Sequence, residues 1–438
     1  MFLLGAGGCA ALTGCAQSHV FSVADAGPVE PADAALVAED AGMDTGAGDL
    51  GLDDSGPGDA GQDAFDACAA GCDDGDECTD DLCEAGRCVF VPRASECEFF
   101  RTHVIRLVSG AHSVAATDID QDGDLDLAVT AHNSRFYAWE ENVEGTGLVW
   151  TQHVLLAGEA GRQLVPVDFD GDGDDDLIGG GGRDDPYPIR LFENLHGDAS
   201  AFATYQIGDR ELQDLDVGDL DGDGRLDVLA VSQWDQPEVF ALFGRDGGFE
   251  HRVLADVGLH PQYVRMVDLD ADGRLDVLAA FFGLVWLEQG DDDDFTLHDL
   301  DVYSATSADP VDVDGDGDLD VLAVGDSRVV WVENRDGRMG TTRVHQVAND
   351  LDYAWSVHGA DMDGDGDVDI LAASRWTDEF VLYLNQGRDR WDRLVLMGDT
   401  HDAFEIIAAD IDGDGDLDAV GTATVGGGFY WWENLGRL

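Results

Sequence analysis

The chain contains no lysine. All 23 basic residues among its 438 are arginine, set against 93 aspartates and glutamates, for a formal charge of −70. Such a balance argues against nucleic acid as a partner, because phosphate binding requires clustered positive charge. The apolar stretch at residues 2–14 has 13 residues, too few to span a bilayer. Catalytic signatures are also missing. There is no Gly-x-Ser-x-Gly elbow, no His-Glu-x-x-His pair and no phosphate loop, and the twelve histidines are scattered. What the chain does have is aspartate in register and 44% hydrophobic residues, enough for a sizeable core.

A nine-residue loop, cleanest as Asp312-Val-Asp-Gly-Asp-Gly-Asp-Leu-Asp320, occurs seven times at intervals of 44 to 51 residues. A fixed period of this length marks a repeat architecture. Positions one, three, five and nine are Asp in every copy. They are Asp118, Asp120, Asp122 and Asp126; Asp168, Asp170, Asp172 and Asp176; Asp219, Asp221, Asp223 and Asp227; Asp268, Asp270, Asp272 and Asp276; Asp312, Asp314, Asp316 and Asp320; Asp361, Asp363, Asp365 and Asp369; Asp410, Asp412, Asp414 and Asp418. Position six is always Gly, which reaches the required reversal at least cost. Position seven is Asp in some copies and Arg at Arg225 and Arg274, as expected if only its carbonyl serves. An all-oxygen shell of six or seven ligands favours calcium over magnesium, and it excludes sites built on Cys or His. Up to seven structural calcium ions are expected. The second loop, with Asp175 at the usual apolar position eight, is the least regular.

Each period carries four strand signals: an apolar strand into the loop, a buried-type strand out of it, an aromatic strand, and an alternating one. The aromatic strand ends in a Glu-Asn-like pair, as in Glu141-Asn142 or Glu433-Asn434. This is the pattern of a propeller blade. The seventh period stops after its third strand, and an orphan strand at 102–107 precedes the first loop. The prediction is an all-β, seven-bladed propeller over 99–438, closed by that N-terminal strand. Closure removes two free sheet edges. It also depends on a contact spanning more than 300 residues, so folding should be slow.

The motif Asp-x-Asp-x-Asp-Gly-x-x-Asp at this period resembles the FG-GAP/VCBS repeats of integrin alpha-chain heads, some fungal lectins and many bacterial surface proteins. The resemblance implies a calcium-binding propeller. It does not imply an activity, because many functions sit on this scaffold.

Ahead of the repeats, Leu12-Thr13-Gly14-Cys15 resembles a bacterial lipobox, which implies a signal peptide over 1–15, lipidation of Cys15 and export to the outer membrane or beyond. Residues 16–67 hold 12 acidic residues and no basic ones, the composition of a disordered, self-repelling tether. Cys68, Cys72, Cys78, Cys83, Cys88 and Cys97 follow within 68–98. In an exported chain they read as three disulfides with 15 possible connectivities. The run also resembles short Cys-rich repeats of slime-mould and myxobacterial surface proteins.

Blade topology puts the Asp loops on one face. The opposite face collects Trp234, Trp355, Trp376, Tyr187, Arg375, His112, His260 and His401, which are the candidate ligand-binding residues. Aromatic rings beside Arg, His and Asp suit a glycan, and rigidly held loops are where binding residues concentrate. Trp139, Trp286, Trp331 and Trp431 fall inside strands and are expected in the core. The function expected is a non-catalytic surface module for a glycan or protein ligand. The alternatives are a polysaccharide lyase or other carbohydrate-active enzyme on the same face, and a structural spacer in an envelope complex. A His-Arg-Tyr cluster buried at the central opening would favour the enzyme.

Overall fold

The structure, a computed structural model, describes residues 99–438 apart from 182–187, 234–236, 256–260, 291–293 and 388–389, together with the backbone of two earlier strands. Those two, Thr79–Glu84 and Arg87–Pro92, pair as a hairpin with Cys83 opposite Cys88 in the register. Cys15 and the residues predicted as signal peptide and tether lie outside the described residues, as do the side chains of the six clustered cysteines.

Every regular element among the described residues is a strand. Residues 99–438 build seven antiparallel four-stranded sheets. Blade 1 comprises Ala111–Thr117, Asp126–Ala131, Phe136–Asn142 and Trp150–Ala157 in spatial order. Blades 2 to 6 repeat this over 161–208, 214–255, 263–303, 307–348 and 354–397. Blade 7 takes three strands from 403–434 and its outermost from Phe100–Leu107, which pairs with Gly428–Asn434. The predicted closure is therefore present, and the inner strand Ala403–Ala409 packs beside Ala111–Thr117 to complete the ring.

Burial explains the strand signals. All seven second strands are buried at every residue, because neighbouring blades cover both faces. Seven apolar clusters form the core, one at each blade-to-blade interface. Trp139, Trp286, Trp331 and Trp431 all lie in it, at most 6% exposed. At Gly180 the next blade approaches so closely that an added Cβ would stand 2.2 Å from Leu212 Cδ2. The outermost strands mix exposed and half-buried residues, with only Leu300 and Val302 of blade 4 buried, and each of the seven pairs irregularly with its inner neighbour through a register shift. Such bulges twist an edge away from further pairing.

The closing interface has extra polar fastenings. Arg106, on the N-terminal strand, donates through Nε and Nη2 to the fully buried Glu140 of blade 1 at 2.6 and 2.8 Å. The Trp431 indole donates to the Gly147 carbonyl at 3.0 Å.

Candidate functional site

The aspartate loops join first and second strands and share one face. In all seven, the position-one carboxylate accepts the N–H of the position-six glycine at 2.9–3.2 Å. Position three accepts from the N–H of position five, and five from that of seven, at 2.9–3.3 Å. These short-range bonds turn successive carboxylates toward one point. The position-six glycines have φ of 86–103°, where a side chain is strained. Despite Asp175, the second loop makes the same bonds as the rest.

Position nine plays a different part. One of its oxygens accepts the N–H of position two, and the other accepts an N–H at the end of the third strand, at 2.7–3.2 Å in every blade. This aspartate clasps the loop to the sheet and retains lone pairs for an ion. Burial pushes Asp126, Asp369 and Asp418 up to about 7, and Asp176, Asp227, Asp276 and Asp320 up to about 6.

The loops fit a hard cation. Carboxylate oxygens of positions one, three and five lie within 4.8 Å of one another in blades 1, 2 and 5, and those of one, three and nine do so in blades 3 and 4. One oxygen each of Asp118, Asp219, Asp361 and Asp410 is buried with no hydrogen-bond partner. A buried, unsatisfied carboxylate oxygen is costly unless something positive meets it.

The Asn of the Glu-Asn pair reaches across blades. Asn142 donates to the Ile411 carbonyl at 2.9 Å and Asn434 to that of Met362 at 2.8 Å, each at position two of the preceding blade's loop. Gln289 does the same to Leu220 at 2.7 Å. With Asn194 on Ile119, four loops are thus tied both to their own blade and to the next one, whereas Asn334 and Asn385 donate within their own blade, to Leu319 and Val368.

The opposite face holds the mouth of the axial channel. A cavity of about 700 Å3 is lined by His112, His132, Arg162, Tyr353, Trp355, Arg375, Asp402 and Phe404, among others. The Arg375 guanidinium lies 4.6 Å from the Trp355 ring centroid and 5.3 Å from that of Phe404. It also makes a two-pronged pair with Asp402, the Nη2–Oδ2 arm being 2.9 Å. Tyr353 stacks on Trp376 at 4.8 Å and 20°, and Trp376 is 69% exposed at the rim. Tyr353 and Asp402 hold positive φ of 57° and 76°. Non-glycine residues in that region cost stability and recur at ligand sites.

His112 is buried against Phe404, with ring centroids 4.0 Å apart, and its Nδ1 donates to the Arg162 carbonyl at 2.9 Å. Burial, and then the neighbouring Arg162, hold it well below the usual histidine range, so it is neutral at pH 7. The cavity continues down the axis along the inner strands as a second space of about 630 Å3. There, polar side chains accept N–H groups from the next blade 50 residues on, as Asp214 does from Val264 and Asp309 from Gly359. Glu405 likewise accepts from Val114 at 2.8 Å, across the closing interface. Burial pushes the Glu405 carboxyl up to about 8.

The FG-GAP-like repeat matches residues 118–179, 219–279, 312–372 and 361–421, which together are more than half of the chain. The chain belongs to the FG-GAP-like repeat family. Among curated proteins, none matches it significantly. Solved structures similar to this FG-GAP propeller include BBS1N in complex with ARL6DN, at 11% identity and a TM-score of 0.50, covering 75% of this chain and 94% of that one. An Agrocybe aegerita lectin that recognises non-reducing terminal N-acetylglucosamine is 19% identical, with a TM-score of 0.47 and coverage of 67% and 81%. The Bacillus licheniformis rhamnogalacturonan lyase PL11 is 14% identical, with a TM-score of 0.44 and coverage of 79% and 76%. Likeness at these identities concerns the fold.

On the FG-GAP scaffold, the candidate ligand residues separate. Trp355, Arg375 and His112 line the cavity, and Trp376 extends it at the rim. His401 does not join them. Its side chain is 73% exposed and stands 3.9 Å from Asp378, because it sits in a turn two residues before the inner strand, whereas His112 lies inside one. Trp234, Tyr187 and His260 lie outside the described residues. Asp402 and Phe404 were missed by sequence reasoning. Phe404 reads as an ordinary core strand residue, and the partner of Asp402 is 27 residues away.

Proposed function

We propose that this chain is a calcium-held propeller at the cell surface whose axial mouth binds a glycan. The observation that carries the reading is the platform of Trp376, Tyr353, Trp355 and Phe404 around the Arg375–Asp402 pair. Apolar faces of a sugar ring stack on aromatic rings, and its hydroxyls find both a donor and an acceptor in the ion pair. Trp376 adds a large exposed ring where a ligand would first meet the protein.

Calcium would be held by the Asp side chains of positions one, three, five and nine, with the position-seven carbonyl. It would supply the positive charge that the converging carboxylates lack. In this reading export, lipidation at Cys15, an acidic tether and a disulfide stalk from the six clustered cysteines carry the propeller away from an outer membrane. The partner is a glycan or protein of the cell surface, and the membrane is met only through the lipid.

The test is a glycan array with the full chain in millimolar calcium. The reading predicts binding to a defined sugar that Trp376→Ala weakens at least tenfold without shifting the melting temperature. No binding by a folded protein would remove the glycan and leave a protein ligand to be sought.

One observation favours a second reading, a carbohydrate-active enzyme. The Tyr263 phenol oxygen is buried on the channel wall without a hydrogen-bond partner, and the Arg265 guanidinium lies 4.7 Å from its ring. Burial holds Tyr263 well above its ordinary value, so it would serve as an acid rather than a base. His112, packed on Phe404, lines the same channel space as the Tyr263–Arg265 pair. Release of cleaved oligosaccharide that Tyr263→Phe abolishes, with binding retained, would favour the enzyme over the binding module.

A further inference from the structure

The seven loops share one sequence pattern, but blade 3 departs from it at the end of its third strand. Five of the other blades end that strand in Glu followed by Asn or Gln: Glu141-Asn142, Glu193-Asn194, Glu288-Gln289, Glu333-Asn334 and Glu433-Asn434. Blade 6 keeps the Asn, as Asn385. Blade 3 has Phe243-Gly244-Arg245. Gly244 still gives its N–H to the position-nine Asp227 at 2.7 Å, so the clasp of loop to sheet survives. The amide that reaches into the preceding blade in blades 1, 2, 4 and 7 is gone, and an arginine has come in beside it.

Arg245 turns onto the loop. Its Nη2 donates to Asp221 Oδ2 at 2.7 Å and its Nη1 to Asp223 Oδ2 at 3.1 Å, bridging positions three and five. Arg225, from position seven of the same loop, adds Nη1 on Asp223 Oδ2 at 3.2 Å. The other oxygens of these two aspartates already accept the N–H groups of Asp223 and Arg225. Both oxygens of both carboxylates are therefore engaged, and the negative charge of positions three and five is met by guanidinium. An arginine pair of this kind competes directly with a cation for the same oxygens.

The carboxylate grouping sets blades 3 and 4 apart from blades 1, 2 and 5. In blades 1, 2 and 5 the converging trio is positions one, three and five; in blade 3 it is one, three and nine, with Asp223 outside. Blade 4 is intermediate. Arg274 engages the position-five Asp272, and the trio is again one, three and nine. Asp219 keeps a buried unpartnered oxygen as Asp118, Asp361 and Asp410 do, so position one is not what distinguishes blade 3. The difference lies at positions three and five.

We propose that Arg245, assisted by Arg225, is a built-in cation that replaces the metal in blade 3, so that the ring takes up six calcium ions and not seven. The inference rests on the calcium reading of the remaining loops. It makes blade 3 the part of the ring whose loop stays formed when calcium is withdrawn.

Equilibrium dialysis of the chelated and reloaded full chain against roughly 5 mM calcium, above the affinity range of extracellular sites, counts the ions. Six per wild-type chain and seven for Arg245→Gln is the expected result. Seven in the wild type, or six in both, overturns the proposal while leaving the calcium reading intact. No ions at all overturns both. Hydrogen exchange on the wild-type chain gives a measurement independent of the variant. On adding chelator, amides of the 312–320 loop should lose protection, and those of the 219–227 loop should change less than twofold in rate. Equal loss in the two loops would also overturn the proposal.

Discussion

The two faces of the propeller are built from the same blades and follow opposite rules. On the loop face, seven copies make the same hydrogen bonds to the same backbone positions, with aspartate invariant at four places. On the mouth face the described residues vary from blade to blade: blade 6 offers Tyr353, Trp355 and Arg375, blade 1 offers His112 and His132, and blade 5 offers Thr306 and Asp326. Repetition is what a ring needs where each unit must fasten to the next, and variation is what a single ligand needs when it meets the ring off its symmetry. In the proposed reading, fold and recognition are thereby separated to opposite ends of the same strands.

The largest break in this comparison should come from removing the metal. Extracellular sites bind calcium at about 0.1–1 mM, so each occupied loop contributes about 0.4–1.4 kcal/mol at millimolar calcium. Over the six loops proposed to hold calcium this sums to on the order of 2–8 kcal/mol, comparable with a domain's net stability. Thermal melting followed by circular dichroism should therefore show a large drop in chelator. The chelated protein should also be more stable at pH 5 than at pH 8. The position-nine carboxyls are raised in the fold, so their contribution is full below about pH 4 and is lost as pH rises through 6–7. An unchanged melting temperature in chelator would contradict the structural role.

Next in size is the closing interface. Trp431 is fully buried there and bonds to Gly147 of blade 1. Trp431→Ala should cost about 3–5 kcal/mol by denaturant unfolding. Trp376→Ala, an equal truncation on the mouth face, should stay within about 0.5 kcal/mol.

A smaller effect is expected at Glu405. Its carboxyl is raised to about 8 in the fold, with Asp214 across the channel adding to the burial and Arg265 opposing it. Its contribution is full below about pH 4.5 and is lost as pH rises through 8. Glu405→Gln keeps an acceptor for the Val114 N–H and should remove roughly 1–3 kcal/mol of the stability difference between pH 6 and pH 9. Urea unfolding at the two pH values reads this directly. The smallest effect concerns loop position four. Gly occupies it in five blades, but Gln121 and Ala271 hold positive φ of 58° and 56° there. Ala271→Gly should stabilise by about 0.5–1 kcal/mol in a thermal melt.

The loop face was legible in the sequence because its interactions are local. Position one bonds to position six and position nine to position two, so spacing alone carries the geometry. Ring closure was legible for a different reason: the count of strands left one missing at the C-terminus and one spare at the N-terminus. The Glu-Asn pair was visible as a pattern but not as a device, since the carbonyl that Asn142 meets is 269 residues away. The mouth was legible only as a face. Nothing near His401 or His112 in the chain tells that one is exposed and the other buried; the difference is that His401 falls in a turn ahead of its inner strand and His112 inside one. Arg245 reads in the sequence as one more surface arginine; only the fold brings it to Asp221, 24 residues back.

Measuring the folded fraction and the binding of an array-identified glycan on the same samples, as free calcium is lowered, tests the division between the faces most directly. The account predicts that binding and near-UV circular dichroism fall together at one calcium midpoint, because calcium serves only the fold. Binding that vanishes at a calcium level where the ring is still folded would place calcium in the ligand site and contradict the separation of the two faces.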